Sequence, residues 1–590
     1  MKDFFKYVLA TVVGIILLTV VVGILGTMSI VGMIASEQAT QNVSKNSVLV
    51  LNLSGIIDEQ AEENLVGQIT GNTVNTLGLN DILSAIRKAK QNDNIKGIYL
   101  QAGAMQTGYA TLEEIRNALL DFKQSKKWIV AYGDAYSQGS YYLATVADKI
   151  YLNPQGMVDW HGVATQAVYY KELMAKFGVR YQVVKVGTYK SFTETYTEDH
   201  MSDANREQLN AFVGGLWKNL CKAVSESRNI SVDSLNAYAD RLVTFEAAEQ
   251  LKKYKLVDEL LYADQVKADI KKRLGLDEDD TLSQLGINDM KNVKEQSTSG
   301  DEIAIYYAYG SIVQNGATGM LSQGHDIDMH TVCSDLQALA DDDDVKAVVI
   351  RINSGGGDAY ASEQIWHAVV ELKAKKPVVV SMGDYAASGA YYMSCPANWI
   401  VAQPNTLTGS IGIFAVFPDL SGLITQKLGV KFDEVKTNRN SAFGNIMARP
   451  FNDEELSYLQ GYVNRGYQLF RKRVADGRKQ PVEAIEKIAQ GRVWIAEDAL
   501  RIKLVDQLGG LDDAVKKAAA LAKMDKYYTA DYPAPSGWMD KLMSGLDSSD
   551  YLDDQLRLTL GEVYEPFTLL RHLDNREALQ ARMPFSIRLK

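Results

Sequence analysis

Cysteine is scarce: the 590 residues hold three, Cys221, Cys333 and Cys395, far apart. An odd count at such spacing excludes a disulfide framework and a cysteine-bound zinc site. Six scattered histidines leave little room for a His-based metal cluster. With 11 prolines and 46% apolar residues, composition excludes a collagen-like or disordered chain. Excess positive charge is also missing. Lys and Arg number 62 against 73 Asp and Glu, a net charge of −11, so no nucleic-acid partner is expected. A chain of this length holds about four domains, or two large ones.

Charge is absent altogether from Tyr7 to Ser36. A membrane helix needs about 20 apolar residues, and the core of a cleaved signal peptide only about 7–15. This run therefore reads as an uncut anchor. Lys2 and Lys6 precede it, which keeps a short N-terminus in the cytoplasm and sends the body across. The expected organisation starts with a cytoplasmic stub and transmembrane anchor over 1–44.

The rest of the chain is written twice. IKGIYLQAGAMQTGYATLEEI (95–115) aligns without a gap on VKAVVIRINSGGGDAYASEQI (345–365), at an offset of 250 residues. GDAYSQGSYYLATVADKIYLNP (133–154) aligns on GDYAASGAYYMSCPANWIVAQP (383–404) at the same offset, and KLVDEL (255–260) answers KLVDQL (503–508). This predicts a tandem duplication, 45–263 and 300–525. A charged linker is expected over 264–300 and an extension over 526–590, where GWMDKLMSGL reads as an amphipathic helix packed on its own body. Within each copy short β-rich runs alternate with helical patterns, which predicts an α/β fold with mostly parallel strands. The four carboxylates Asp341–Asp344 read as a solvated turn, and His367, within IWHAVV, as a packed core histidine.

A duplicated unit keeps in both halves what folding needs, so differences at matched positions point to chemistry. Ser388 faces Gln138. It follows a strand and a small-residue turn, and a helix starts there, so the Gly389 N–H points at any developing negative charge. That layout suits a nucleophile, and equally an N-cap. Gly355-Gly356-Gly357 faces Met105-Gln106-Thr107. Glycines after a strand expose N–H groups to a ligand. Lys190 faces Asn440. A lysine acts as base when burial keeps it neutral, and Ser–Lys is a variant of the triad logic. His161, matched by Ile411, has no assigned role, and Asp384 and Asp134, present in both copies, read as structural.

Together the anchor, the doubled unit, TYKS, NSGGGDAYASEQI, GDYAASGAYYMS and TLTGSIGIF resemble the signal peptide peptidase A family, also called protease IV, in its long tandem form. The resemblance implies two Clp protease/crotonase-like α/β repeats and a Ser–Lys peptidase needing neither metal nor ATP. Ser388 would be the nucleophile, Lys190 the general base, and Gly389, Gly355 and Gly356 the oxyanion donors. Ser410, matched by Trp160, would orient the lysine. The family further implies a homotetramer on the outer face of the inner (cytoplasmic) membrane, degrading cleaved signal peptides. The small and apolar residues around Ser388 and Ile411–Phe417 suit such apolar peptides. Two other readings remain open from the residues: a non-catalytic membrane scaffold, and a crotonase-like CoA enzyme.

Overall fold

The computed structural model describes residues 42–61, 76–294, 299–316, 325–534 and 580–582. The expected anchor and GWMDKLMSGL lie outside them, but for residues 42–44. Among the described residues no helix is long and apolar enough to cross a membrane.

Each copy builds its own twisted sheet. In the first, Ser47–Asn52, Ile95–Gln101, Trp128–Tyr136 and Lys149–Val158 lie side by side and parallel, and Gln284–Leu285 and Glu259–Leu260 close the two edges. In the second, Asp301–Tyr309, Val345–Ser354 and Val378–Ala387 form the parallel centre. Their near-continuous Val, Ile and Ala content is that of strands covered on both faces. Helices Met329–Asp341 and Ala359–Lys375 cover one face, and Leu511–Ala522 the other. The expected alternation of strand and helix is therefore present in both halves. The Asp341–Asp344 run is exposed and turns the chain from helix to strand.

Three expectations need correcting. The 264–300 segment is mostly folded structure. Helix Ala263–Leu274 buries Val266 and Ile270 against Tyr99, Val130 and Tyr151, and Ile287–Lys291 puts Ile287 and Met290 into the first core. Its many charges sit on the outward faces, while the i, i+4 spacing of Val266 and Ile270 makes the inward stripe. Likewise Tyr527–Tyr532, expected outside the repeat, pairs parallel with Asp301–Tyr306 as an edge strand of the second sheet. His367 is exposed rather than packed in the core, because its helix turns Ile365 and Val369 inward.

The copies are locked together by buried polar contacts. Arg351, fully buried in the second sheet, donates to Glu59 Oε2 at 2.7 Å and Glu114 Oε2 at 2.8 Å, both from the first copy. Asp384 caps a helix of the other copy: it accepts from the N–H groups of Ala110 and Thr111 at 2.8 and 3.0 Å. That helix, Tyr109–Lys123, begins after Gly108 and has no side-chain cap of its own. In the second copy the matched residue is Asp358, which caps its own helix through Ala361 N–H at 2.7 Å. A Cβ on Gly108 would stand 2.2 Å from the Asp384 carboxyl. The lost local cap and the borrowed one are therefore one feature. Asp134, the match of Asp384, stays near the surface and accepts from Tyr132 Oη and Asn153 Nδ2.

Candidate active site

Ser388 ends the strand Val378–Ala387 and stands at the N-cap of helix Gly389–Ser394. Its φ of 58° and ψ of −115° lie in a region that side-chain-bearing residues rarely occupy. The surrounding backbone holds it there. Ser388 N–H donates to Gly409 O at 2.8 Å, and its carbonyl accepts from Tyr392 N–H at 2.9 Å. An ordinary N-cap serine turns its oxygen onto its own helix. Ser137 in the first copy does this, accepting from Ser140 N–H, whereas Ser388 makes no such cap. Its Oγ lies instead 2.8 Å from Lys190 Nζ.

Lys190 arrives from the first copy. The strand Arg180–Val186 pairs antiparallel with Ile413–Asp419 of the second, from Arg180 opposite Asp419 to Val186 opposite Ile413. The chain turns at Gly187 (φ 115°), Tyr189 N–H donates to Gln490 O at 2.8 Å, and Lys190 follows. Gly491 (φ 77°) packs on it so closely that a Cβ there would meet Lys190 N and Cβ at 2.8 Å.

Nζ also lies 3.1 Å from Ser410 O, 3.0 Å from Ser410 Oγ and 5.8 Å from the Phe414 ring centre. Lys190, Ser388 and Ser410 are each 0% exposed. Burial pushes the lysine pKa well below its ordinary 10.5. A neutral amine has two N–H bonds and one lone pair. The two oxygens of Ser410 accept the N–H bonds, and the lone pair is left for the hydroxyl proton of Ser388.

The three expected oxyanion donors are placed differently. Gly389 is the first residue of its helix, so its N–H has no carbonyl four residues back. Gly356 (φ 99°) donates its N–H to Ser354 Oγ at 3.1 Å. Gly355 connects Ser354 to the short strand Gly356–Asp358, which packs beside helix Gly389–Ser394. Gln580–Arg582 runs antiparallel to Gly356–Asp358, and Gln580 also faces Phe414. Gln580–Arg582 thus lies as a strand between the glycine turn and the strand carrying Phe414.

The matched place in the first copy is filled. Gln138 Nε2 donates to Tyr109 Oη at 2.9 Å and Gly162 O at 3.1 Å, and its Oε1 accepts from Gly162 N–H. Trp160, in the place of Ser410, is buried and donates to Leu235 O. Asn440, in the place of Lys190, is exposed. His161 Nδ1 lies 3.0 Å from Asp159. Sequence reasoning missed Phe414 and Gly491; the positive φ at Gly491 is a backbone fact, and only the glycine itself was visible.

Comparison with known proteins follows the same division. The model of peptidase family S49 matches residues 121–277 and 370–525, once in each copy. Protease 4 of Salmonella typhi is 39% identical over 521 residues, 85% of this chain and 82% of its own length. Protease 4 of Haemophilus influenzae is 34% identical, covering 81% and 80%. The chloroplastic serine protease SPPA of Arabidopsis thaliana is 32% identical, covering 92% and 78%. Among solved structures, a ClpP1 mutant of Listeria monocytogenes overlaps 36% of this chain and 94% of its own at 17% identity and a TM-score of 0.24, too slight to bear on the fold. The chain is a serine peptidase. It belongs to peptidase family S49, with relatives in the Protease 4 and SPPA group.

Proposed function

We propose that Ser388 and Lys190 are the nucleophile and general base of a membrane-anchored endopeptidase that degrades cleaved signal peptides and similar apolar peptides. The observation that carries this reading is the 2.8 Å approach of two fully buried groups, each contributed by a different copy and each without its partner type at the matched position. Lys190 takes the hydroxyl proton as Ser388 Oγ attacks the peptide carbonyl. The oxyanion is received by Gly389 N–H and the Gly355–Gly356 turn, with Ser354 Oγ releasing the Gly356 N–H. The lysine ammonium then protonates the leaving amine. In the second half a water enters, Lys190 takes its proton, and the acyl-serine is hydrolysed. Neither metal nor ATP has a step in this sequence.

An extended peptide binds by adding a strand, and the slot filled by Gln580–Arg582 between the glycine turn and Phe414 is the place for one. Phe414, Phe192 and Ile413 offer it apolar surface. The uncharged run Tyr7–Ser36 supports an inner-membrane anchor, with the N-terminus cytoplasmic and the body on the outer side, next to the bilayer where such fragments collect. The family resemblance adds a homotetramer.

The test is hydrolysis of a fluorogenic apolar signal-sequence peptide by the full chain in detergent, beside Ser388→Ala and Lys190→Ala. Both variants lose activity, and the parent works with EDTA present and ATP absent. Full activity in Lys190→Ala would sink the assignment.

A further inference from the structure

Lys190 sits at the apex of a very tight turn. Its φ of −79° and ψ of 73° are those of an inverse γ-turn, which Ser191 N–H closes onto Tyr189 O at 2.9 Å. A three-residue turn has one internal hydrogen bond, so its direction must be fixed from outside. Gln208, near the start of helix Asp203–Arg228, does this from the protein interior.

The Gln208 side chain is 0% exposed, and both ends of its amide are bonded. Nε2 lies 3.1 Å from each of Tyr189 O, Ser191 Oγ and Asn205 Oδ1. Oε1 accepts from Val493 N–H at 3.2 Å. A carbonyl only accepts and a peptide N–H only donates, so the amide fits one way round. Its nitrogen holds the residues on both sides of Lys190, and its oxygen holds the second copy. Val493 pairs with Gly409, whose carbonyl accepts from Ser388 N–H at 2.8 Å. Next to them Ser410 N–H donates to Arg492 O at 2.7 Å. One side chain therefore ties the turn bearing Lys190 to the backbone that carries Ser388 and Ser410.

The duplication shows that the helix itself has no need of this amide. Asp203–Arg228 recurs as Asp453–Arg478, 26 residues each at the offset of 250. There Gln208 becomes Tyr458, which is 54% exposed and donates to Glu454 Oε1 of its own helix at 2.6 Å. The copy that has Asn440 in place of the lysine thus lacks the glutamine as well, and its helix forms all the same.

We propose that Gln208 is a positioning residue of the peptidase, which fixes the turn from which the Lys190 amine reaches Ser388 Oγ and keeps water out of it. It bonds the chain on either side of Lys190 and leaves the amine to Ser410 and Ser388. The inference rests on Lys190 being the base.

The experiment compares Gln208→Met, Ser191→Ala and Lys190→Ala with the parent, as full chains in detergent cutting a fluorogenic apolar signal-sequence peptide. Methionine keeps the length of the side chain and removes all its hydrogen bonds. Gln208→Met lowers kcat by roughly 10²-fold, the cost of a misplacement of about 1 Å, and leaves KM at the parental value. Its kcat/KM limb moves up in pH towards 10.5, because a loosened turn lets water reach the amine. Ser191→Ala removes one of the acceptors and gives a smaller change in both readouts. It adds little in the Gln208→Met background, since both act through one contact. A glutamine that only supports the fold would lower the melting temperature and move neither kcat per folded molecule nor the pH limb. Parental kcat or an unmoved limb in Gln208→Met, beside an inactive Lys190→Ala, overturns this inference and leaves the base in place. Should Gln208→Met not fold, parental kcat and limb in Ser191→Ala overturn it. Full activity in Lys190→Ala overturns the base and this inference together.

Discussion

Lys190 is the residue on which most of the proposed chemistry converges. It is fully buried, and burial alone pushes its amine pKa well below the ordinary 10.5. In the unfolded chain the same amine titrates at its ordinary value. Between the two pKa values the unfolded state binds more protons, so this group makes stability rise with pH and weakens the fold below that window. Lys190→Met removes both the base and this burden. Activity is expected to fall more than 10³-fold (roughly the loss on deleting a catalytic base), while calorimetry at pH 7 shows a higher melting temperature. In the parent, kcat/KM rises with pH along a limb whose midpoint lies well below 10.5, set by deprotonation of Lys190. A profile rising only near 10.5 would contradict the desolvated amine. Ser410→Ala leaves one amine hydrogen without its side-chain acceptor and is expected to lower kcat by about 10–100-fold, read with saturating peptide. The serine and the lysine were legible in the sequence because the second copy serves as a control for the first, whereas Ser410 was reached through the family resemblance. Phe414 was not, because nothing in an apolar run says which side chain faces an amine.

Among the elements, the loops that present these side chains depend on backbone shapes that sequence patterns do not reveal. Gly491 is the sharpest case, with φ 77° and no room for a Cβ against Lys190. Gly491→Ala is expected to displace the lysine and abolish turnover while circular dichroism stays unchanged. A variant with parental kcat would show that Lys190 tolerates the shift. The strands and helices of both copies were readable from their alternation. Misreadings arose where charge concealed an apolar stripe, as at Val266 and Ile270, and where an edge strand came from a segment thought to lie outside the repeat, as at Tyr527–Tyr532. The helix after Gly108 has no cap in its own sequence, and Asp384 cannot be identified as its cap until the copies are docked.

At the scale of the whole molecule, the seam between copies is where stability and function meet. Arg351 is surrounded by Glu59 and Glu114, all three buried. Removing the cation alone leaves two carboxylates without a counter-charge, so Arg351→Met is expected to cost about 3–5 kcal/mol, measured by denaturant unfolding. Glu59 is pushed up to about 7 from its ordinary 4.5, chiefly by burial, against the lowering pull of Arg351. Between those values the folded protein holds a proton that the unfolded chain has released. Through Glu59, stability therefore falls as pH rises from about 4.5 to 7, with a slope of at most about 1.4 kcal/mol per pH unit. Thermal melts of Glu59→Gln across that range should show a shallower decline than the parent; an equal slope would assign the titration elsewhere.

The wide separation of the two reacting groups along the chain also has a consequence in time. Lys190 and Ser388 are 198 residues apart, so at a synthesis rate of about 5–20 residues per second roughly 10–40 s pass between making one and making the other. Throughout that interval the emerging polypeptide carries the proposed base with nothing to activate. On the proposed dyad, cutting power arrives only when the second half has been made and has docked on the first, so an unfinished molecule would be harmless to its surroundings and to itself.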